Sequence, residues 1–240
     1  MSGHSKWANI KRKKEATDAK KGKIFTKIGK EITVAVKMGG DDPNVNGKLK
    51  DVISKAKAAN MPNDNIKRCI QKAAGDKNAA NYEEITYEGY GVNGVAVIVE
   101  AMTDNKNRAA ADIRCIFDRS GGKMGNSGCV SYMFSKKGII IVEINEEIDE
   151  ETLMMEALEL GAEDFVVEDE YYEIVTNPDD FSSVLEGLQE KNYAFVEAEI
   201  KMVPSTTVEL DDEKAEKFQN MIDKLEDNDD VQNVWHNADI

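Results

Sequence analysis

The chain has 240 residues, 41% hydrophobic and 32% charged, a balance that fits a folded protein of two or three domains and excludes an intrinsically disordered one. Its net charge is −15, yet residues 1–77 carry +11 and residues 78–240 carry −26, so a basic head precedes an acidic body. The longest aliphatic runs, Val95–Val99 and Ile139–Val142, fall far short of the roughly 18 residues of a membrane span, and the three cysteines lack metal-ligand spacing, which suits a reducing cytoplasm.

The opening stretch reads as a nucleic-acid grip. Lys6, Lys11, Arg12, Lys13, Lys14, Lys20, Lys23, Lys27 and Lys30 crowd into it with few acids between them, and a polyanion is the partner that such charge fits. Trp7 sits among these bases, where its ring could stack on a nucleobase or pack as an anchor for the arm. Like charges and few apolar residues make the arm, Met1 to about Lys20, a segment expected to be mobile until bound. A helix is expected over Lys20–Met38. At about 100° per residue, Lys20, Lys23, Lys27, Lys30 and Lys37 share one sector, while Phe25, Ile28, Ile32, Ala35 and Val36 gather on the other. One face should therefore pack and the lysine face stay free. Gly39-Gly40 and Asp41-Asp42-Pro43 end the helix.

Two shorter amphipathic helices follow. Gly47–Ala59 aligns Leu49, Val52, Ile53 and Ala56; Asn63–Ala74 aligns Ile66, Cys69, Ile70 and Ala73. Together with the first they make a basic three-helix domain over 1–77, bounded near Asn78-Ala79-Ala80, where the charge reverses.

The period then changes to two. Ile85–Tyr87 and Val95–Ala101 read as strands joined through Asn93-Gly94, a hairpin signal. Gly89, Gly91 and Gly94 spell G-x-G-x-x-G, but a strand rather than a helix follows, so the spacing marks a turn and not a dinucleotide site. A helix over Asn105–Asp118 carries Lys106 and Arg108 in its first turn, unfavourable for the helix dipole; they are secondary contact candidates. Val130–Phe134 is expected as a strand. Residues 137–203 read β-α-β-β-α-β, a ferredoxin-like sandwich. Val208, a helix over Asp211–Leu225 and a strand Val231–His236 should complete the sheet begun at Ile85. That arrangement gives a discontinuous α/β domain, 78–136 with 204–240, into which the sandwich is inserted. The fold class is α+β.

The acid clusters Asp149-Glu150-Glu151, Asp179-Asp180 and Asp211-Asp212-Glu213 each open an expected helix, where acids cap and meet the positive dipole end. No metal and no cofactor are expected from them. The only two histidines, His4 and His236, lie near opposite termini, and no nucleophile motif is visible. No enzymatic activity and no small-molecule substrate are expected.

Ser2-Gly3-His4-Ser5-Lys6-Trp7-Ala8-Asn9-Ile10-Lys11 resembles the start of the YebC/PmpR family. So do Gly22-Lys23-Ile24-Phe25-Thr26-Lys27, Asn60-Met61-Pro62, Tyr87-Glu88-Gly89-Tyr90-Gly91, and Thr103-Asp104-Asn105 with Asn107-Arg108. The resemblance spans nearly the whole chain; Cys115 and Cys129 fall outside its motifs. It implies a helical N-terminal domain followed by two α/β domains, and a cytoplasmic, non-enzymatic regulator of gene expression. Family members usually carry the label of DNA-binding transcriptional regulators. Others, including a mitochondrial translational activator of a cytochrome oxidase subunit, act at the ribosome, where the role includes relief of stalling. The residues leave both readings open. Neither a helix-turn-helix nor an RNP motif is visible, and lysine supplies point charges rather than bidentate base contacts. A third class, an adaptor whose acidic domains dock a basic partner, also fits the charge.

Overall fold

The computed structural model describes residue 7, residues 18–75 and residues 81–239, with side chains for 7, 21–75 and 81–239. Among these residues the fold is α+β with seven α-helices and antiparallel four-stranded sheets, divided between two compact units.

The first unit comprises, among the described residues, 18–75, 81–131 and 210–236. Its helices α1 (Asp18–Gly39), α2 (Gly47–Ala58) and α3 (Asn63–Gly75) close around Ile28, Ile32, Ala35, Val36, Leu49, Val52, Ala56, Met61, Ile66 and Ala73. These are the apolar faces expected from the periodicity, with Phe25, Ile53, Cys69 and Ile70 packed at the margin. Local chemistry sets the ends. Gly40 takes φ +87° after α1, the left-handed turn that glycine tolerates. Asn46 caps α2 through Leu49 N–H and donates from Nδ2 to the carbonyls of Ala35 and Gly40, tying the two helices together. Asn60 adopts φ +57° and Met61 is buried, so Asn60-Met61-Pro62 is a turn that plugs the bundle.

A four-stranded sheet follows in the same unit, with spatial order β3-β1-β2-β9: β1 (Glu83–Tyr90), β2 (Ala96–Thr103), β3 (Lys123–Met124) and β9 (Val231–His236). The last strand pairs antiparallel with β2, Val97 opposite His236 and Val99 opposite Val234, as the sequence suggested. Between β1 and β2, Asn93 (φ +59°) and Gly94 (φ +77°) turn the chain, and no helix opens there. Helices α4 (Lys106–Arg119) and α7 (Asp212–Glu226) bury Ile113, Phe117, Phe218, Met221 and Leu225 in this unit.

One expected strand is corrected. Ser131–Met133 is a short 3-10 turn, and the next strand begins only at Phe134. The cause is Glu88, buried on β1, whose carboxylate accepts N–H groups from Gly128 (2.7 Å), Val130 (2.8 Å) and Ser131 (2.8 Å). Those donors are taken from any ladder.

The second unit comprises, among the described residues, residue 7 with 132–209 and 237–239. Strands β4 (Phe134–Glu143), β5 (Asp164–Val167), β6 (Tyr171–Thr176) and β7 (Glu197–Pro204) form an antiparallel sheet in the order β5-β6-β4-β7. With α5 (Glu150–Leu160) and α6 (Phe181–Glu190) this is the ferredoxin-like order. Two of the three expected acid caps form: Asp149 accepts from Thr152 N–H, and Asp211 in the first unit does the same for Lys214, whereas Asp180 stands at the start of α6 in helical backbone conformation and makes no side-chain cap. Both helices pack on the face carrying Ile140, Val142, Tyr172 and Ile174. The opposite face carries Ile139, Ile141 and Tyr171, and Trp7 covers it. Val208 departs from its expected place. It opens β8 (Val208–Glu209), which pairs with β10 (Ala238–Asp239) in a small parallel sheet.

Candidate nucleic-acid interface

Of the basic residues expected to grip nucleic acid, Lys6, Lys11, Arg12, Lys13, Lys14 and the side chain of Lys20 lie outside the described residues. The others are placed, and their placement corrects the expectation of a free lysine face. Lys23 pairs with the Asp227 carboxylate at 2.9 Å. Lys27 donates at 2.8 Å to the carbonyl of Glu226, the last residue of α7. Lys30 reaches the Asp230 carboxylate at 2.9 Å and the Asp229 carbonyl at 2.8 Å, and lies over the Tyr82 ring. Lys37 contacts Asn81. Lys27 and Lys30 are therefore part of a docking face within the protein, while Lys23 pairs with Asp227 at the exposed margin of that face. The i, i+4, i+7 spacing of the stripe places three ammonium groups on the carbonyls that α7 leaves open at its end and on the acids that follow, a favourable alignment of cation with dipole.

Asp230 is the centre of this arrangement. It is 6% exposed and accepts from Lys30, Arg108 (2.8 Å) and Thr103 (3.1 Å). Burial alone would push its carboxyl up, but the hydrogen bonds from Arg108 and Lys30 outweigh burial and hold it below the usual carboxylate range. Burial pushes the Lys27 ammonium down, against the opposing pull of Glu226. The two secondary candidates are occupied as well: Arg108 by Asp230 and Asp104, Lys106 by Glu83. Arg108 and Asp112 line a cleft of about 290 Å³ with residues 227–230. Its acidic wall disfavours a phosphate.

Trp7 also departs from its first-named role. It is 3% exposed and stacks on Tyr171 with ring centroids 5.2 Å apart and planes 17° from parallel. Its ring is spent on the apolar sheet face beside Ile139 and Ile141, so the packing alternative holds and base stacking is ruled out for this conformation.

Positive charge still reaches solvent elsewhere on the bundle. Lys57 in the last turn of α2, and Lys67, Arg68 and Lys72 on α3, are exposed and have no ion pair among the described residues. Ile66, Cys69, Ile70 and Ala73 turn inward, which aims Lys67, Arg68 and Lys72 outward on the opposite face. Sequence reading counted these residues as charge without singling them out. What separates them from Lys23, Lys27 and Lys30 is the absence of a partner, which only the fold decides. Asp230 and Glu88 were missed for the same reason, although the run Glu226-Asp227-Asn228-Asp229-Asp230 is the acidic complement of the lysine stripe. Among the described residues no His, Cys, Asp and Glu cluster could hold a metal, and no helix is long and apolar enough to cross a membrane.

The fold and the divided charge define a class: an α+β protein in which a basic helical bundle precedes a split sheet domain carrying a ferredoxin-like insertion. The model of the TACO1/YebC N-terminal domain matches residues 5–76, and that of the TACO1/YebC second and third domain matches residues 82–238. The chain belongs to the TACO1/YebC family. A protein of Acetivibrio thermocellus named "Probable transcriptional regulatory protein" is 64% identical over 99% of this chain and 98% of its own. One of Hathewaya histolytica, "Probable transcriptional regulatory protein ORF2U", is 60% identical over 100% and 97%. The crystal structure of a conserved hypothetical protein from Aquifex aeolicus superposes with a TM-score of 0.80 at 43% identity, covering 92% of this chain and 91% of that one.

Proposed function

We propose that this protein is a cytoplasmic, non-enzymatic regulator of gene expression that binds nucleic acid through its N-terminal basic domain, residues 1–77. Under this reading residues 78–136 with 204–240 form the second domain and 137–203 the third. The carrying observation is the unpaired positive surface of Lys57, Lys67, Arg68 and Lys72, left over after the lysine stripe of α1 has been used internally. Lys6, Lys11, Arg12, Lys13, Lys14 and Lys20 extend the proposed grip by their charge. The relatives' names support transcription as the leading description, with DNA as the partner. No cofactor, metal or small-molecule substrate enters the mechanism.

A second reading is a ribosome-associated translation factor that holds ribosomal RNA and relieves stalling. The observation that favours it is the chemistry of the exposed cations. Three of the four are lysines, which neutralise phosphate without reading base edges, so they suit backbone and shape recognition.

A competition at physiological salt decides between the two. The full-length protein is offered ribosomes, a candidate promoter and scrambled DNA, beside a variant with Lys57, Lys67, Arg68 and Lys72 changed to Glu. A promoter preferred over scrambled DNA by at least roughly 10³-fold, with loss in the variant, establishes the transcriptional role. Ribosome binding that resists competitor DNA and fails in the variant establishes the translational one. If the variant binds every partner as well as the parent does, the interface is misplaced.

A further inference from the structure

Residues 138–190 of the ferredoxin-like unit contain 18 Asp and Glu and not one Lys, Arg or His. Lys137 and Lys191, just outside this span, pair with Glu163 and Glu156. A segment so uniformly charged repels phosphate and also itself, at a cost in stability. Within it stand large apolar side chains that the fold leaves in water: Met155 is 58% exposed, Leu158 46% and Val167 49%.

Their positions are ordered. On α5, Leu153 and Ala157 point into the core, and Glu156 meets Lys191 and Tyr193, just beyond the end of α6. At helical spacing, Met155 and Leu158 lie one turn apart on the outer side, with half-buried Met154 between them and the core on the flank away from Glu156. Val167 lies on β5, the edge strand, opposite Tyr172 and hence on the same helix-bearing side of the sheet. Glu151 and Glu159 are exposed on the same helix and make no ion pair among the described residues. Singly exposed apolar residues need no explanation. Two methionines and a leucine on one helix, framed by unpaired acids, form an adaptable apolar strip of the kind that receives a partner helix, and Val167 is a further exposed apolar residue on the helix-bearing side of the same domain.

We propose that this face of the third domain docks a basic amphipathic helix of another protein. The helix would lay its apolar stripe on Met155 and Leu158 and its lysines or arginines against Glu151, Glu159 and their acidic neighbours. Charge complementarity selects that occupant: nucleic acid is repelled, and an acidic or neutral helix gains nothing from the rim. The inference is independent of the nucleic-acid reading, because it uses the oppositely charged part of the chain.

The probe is a synthetic amphipathic helical peptide of Lys and Leu, labelled with fluorescein and titrated into the full-length protein. Controls are a scrambled peptide of the same composition, oligolysine and duplex DNA. The expected result is binding of the amphipathic peptide in preference to both peptide controls. Met155→Gln with Leu158→Gln should weaken it about tenfold, as loss of central apolar anchors does, while leaving duplex DNA affinity and the circular dichroism spectrum unchanged. Glu151→Gln with Glu159→Gln should weaken it and flatten its salt dependence. Equal binding of the scrambled peptide, or no effect of the Met155 and Leu158 changes, would reduce the attraction to diffuse charge and overturn the proposal. So would failure of the peptide to bind, or sedimentation showing that the apolar face instead joins two copies of this chain.

Discussion

At the scale of single residues, two buried carboxylates govern how the first unit holds together. Glu88 is 4% exposed, and its three backbone donors outweigh the upward push of burial and hold its carboxyl low. Asp230 behaves likewise through Arg108 and Lys30. Folded-state values below the unfolded ones mean stability that is complete above about pH 3.9 for Asp and 4.3 for Glu. It is lost as pH falls through the lower folded values. Asp230→Asn should therefore cost about 3 kcal/mol at pH 7, because it strands a buried ammonium, and Glu88→Gln about 2 kcal/mol. Urea midpoints should show both deficits shrinking as the pH is taken below 4. Deficits that do not change with pH would mean that the carboxylates act by shape alone. Trp7 makes a separate test. Trp7→Ala should cost about 3 kcal/mol, as removal of a buried aromatic does. Trp7→Phe should recover much of that loss through its stack on Tyr171. Nucleic acid should leave Trp7 fluorescence unquenched.

At the scale of elements, α1 is a helix with two packed faces. Its apolar side builds the bundle, and its lysine side closes the end of α7. Lys30→Met should lower the thermal midpoint by removing one partner of Asp230, with no change in the salt dependence of nucleic-acid binding. The glycines at the end of β1 and in the turn that follows show how a familiar spacing can be local packing. A Cβ on Gly89 would stand 2.6 Å from the Lys123 carbonyl and 2.7 Å from the Phe117 ring, whereas one on Gly94 would meet open space at φ +77°. Gly89→Ala is expected to cost about 2–3 kcal/mol by overpacking and Gly94→Ala only about 1 kcal/mol of backbone strain. Chemical denaturation of the two variants, with the larger loss at Gly94, would refute the packing account.

At the scale of the whole molecule, charge is sorted along the chain, +11 in residues 1–77 against −26 in the remainder. Binding carried by unpaired cations releases counterions, so affinity for DNA or RNA should fall linearly on a log–log plot against salt. Each of Lys57, Lys67, Arg68 and Lys72 changed to Ala should reduce the slope by about 0.9 on duplex DNA. Isothermal titration over a salt series measures this directly. A slope that stays constant through all four changes would move the grip to the arm residues Lys11, Arg12, Lys13 and Lys14.

The elements themselves were legible because their causes are local. Period 3.6 in Ile28, Ile32, Leu49, Val52, Ile66 and Ala73, the left-handed turn at Gly40, the Asn93-Gly94 hairpin and the acid caps Asp149 and Asp211 each act within a few residues. The β-α-β-β-α-β order of the third domain was readable for the same reason. The fate of each charge was not. Lys30 and Asp230 are 200 residues apart, and no spacing in the chain announces that one cancels the other. The same holds for Glu88 and the N–H groups of Gly128, Val130 and Ser131, which turned an expected strand into a loop, and for Trp7 and Tyr171. An ammonium held in a buried site by a carboxylate or a helix end is not available to phosphate. Composition therefore determined that the N-terminal domain is basic, and tertiary structure decided that, among the described residues, Lys27 and Lys30 are drawn against the end of α7 while Lys57, Lys67, Arg68 and Lys72 face water without an ion pair.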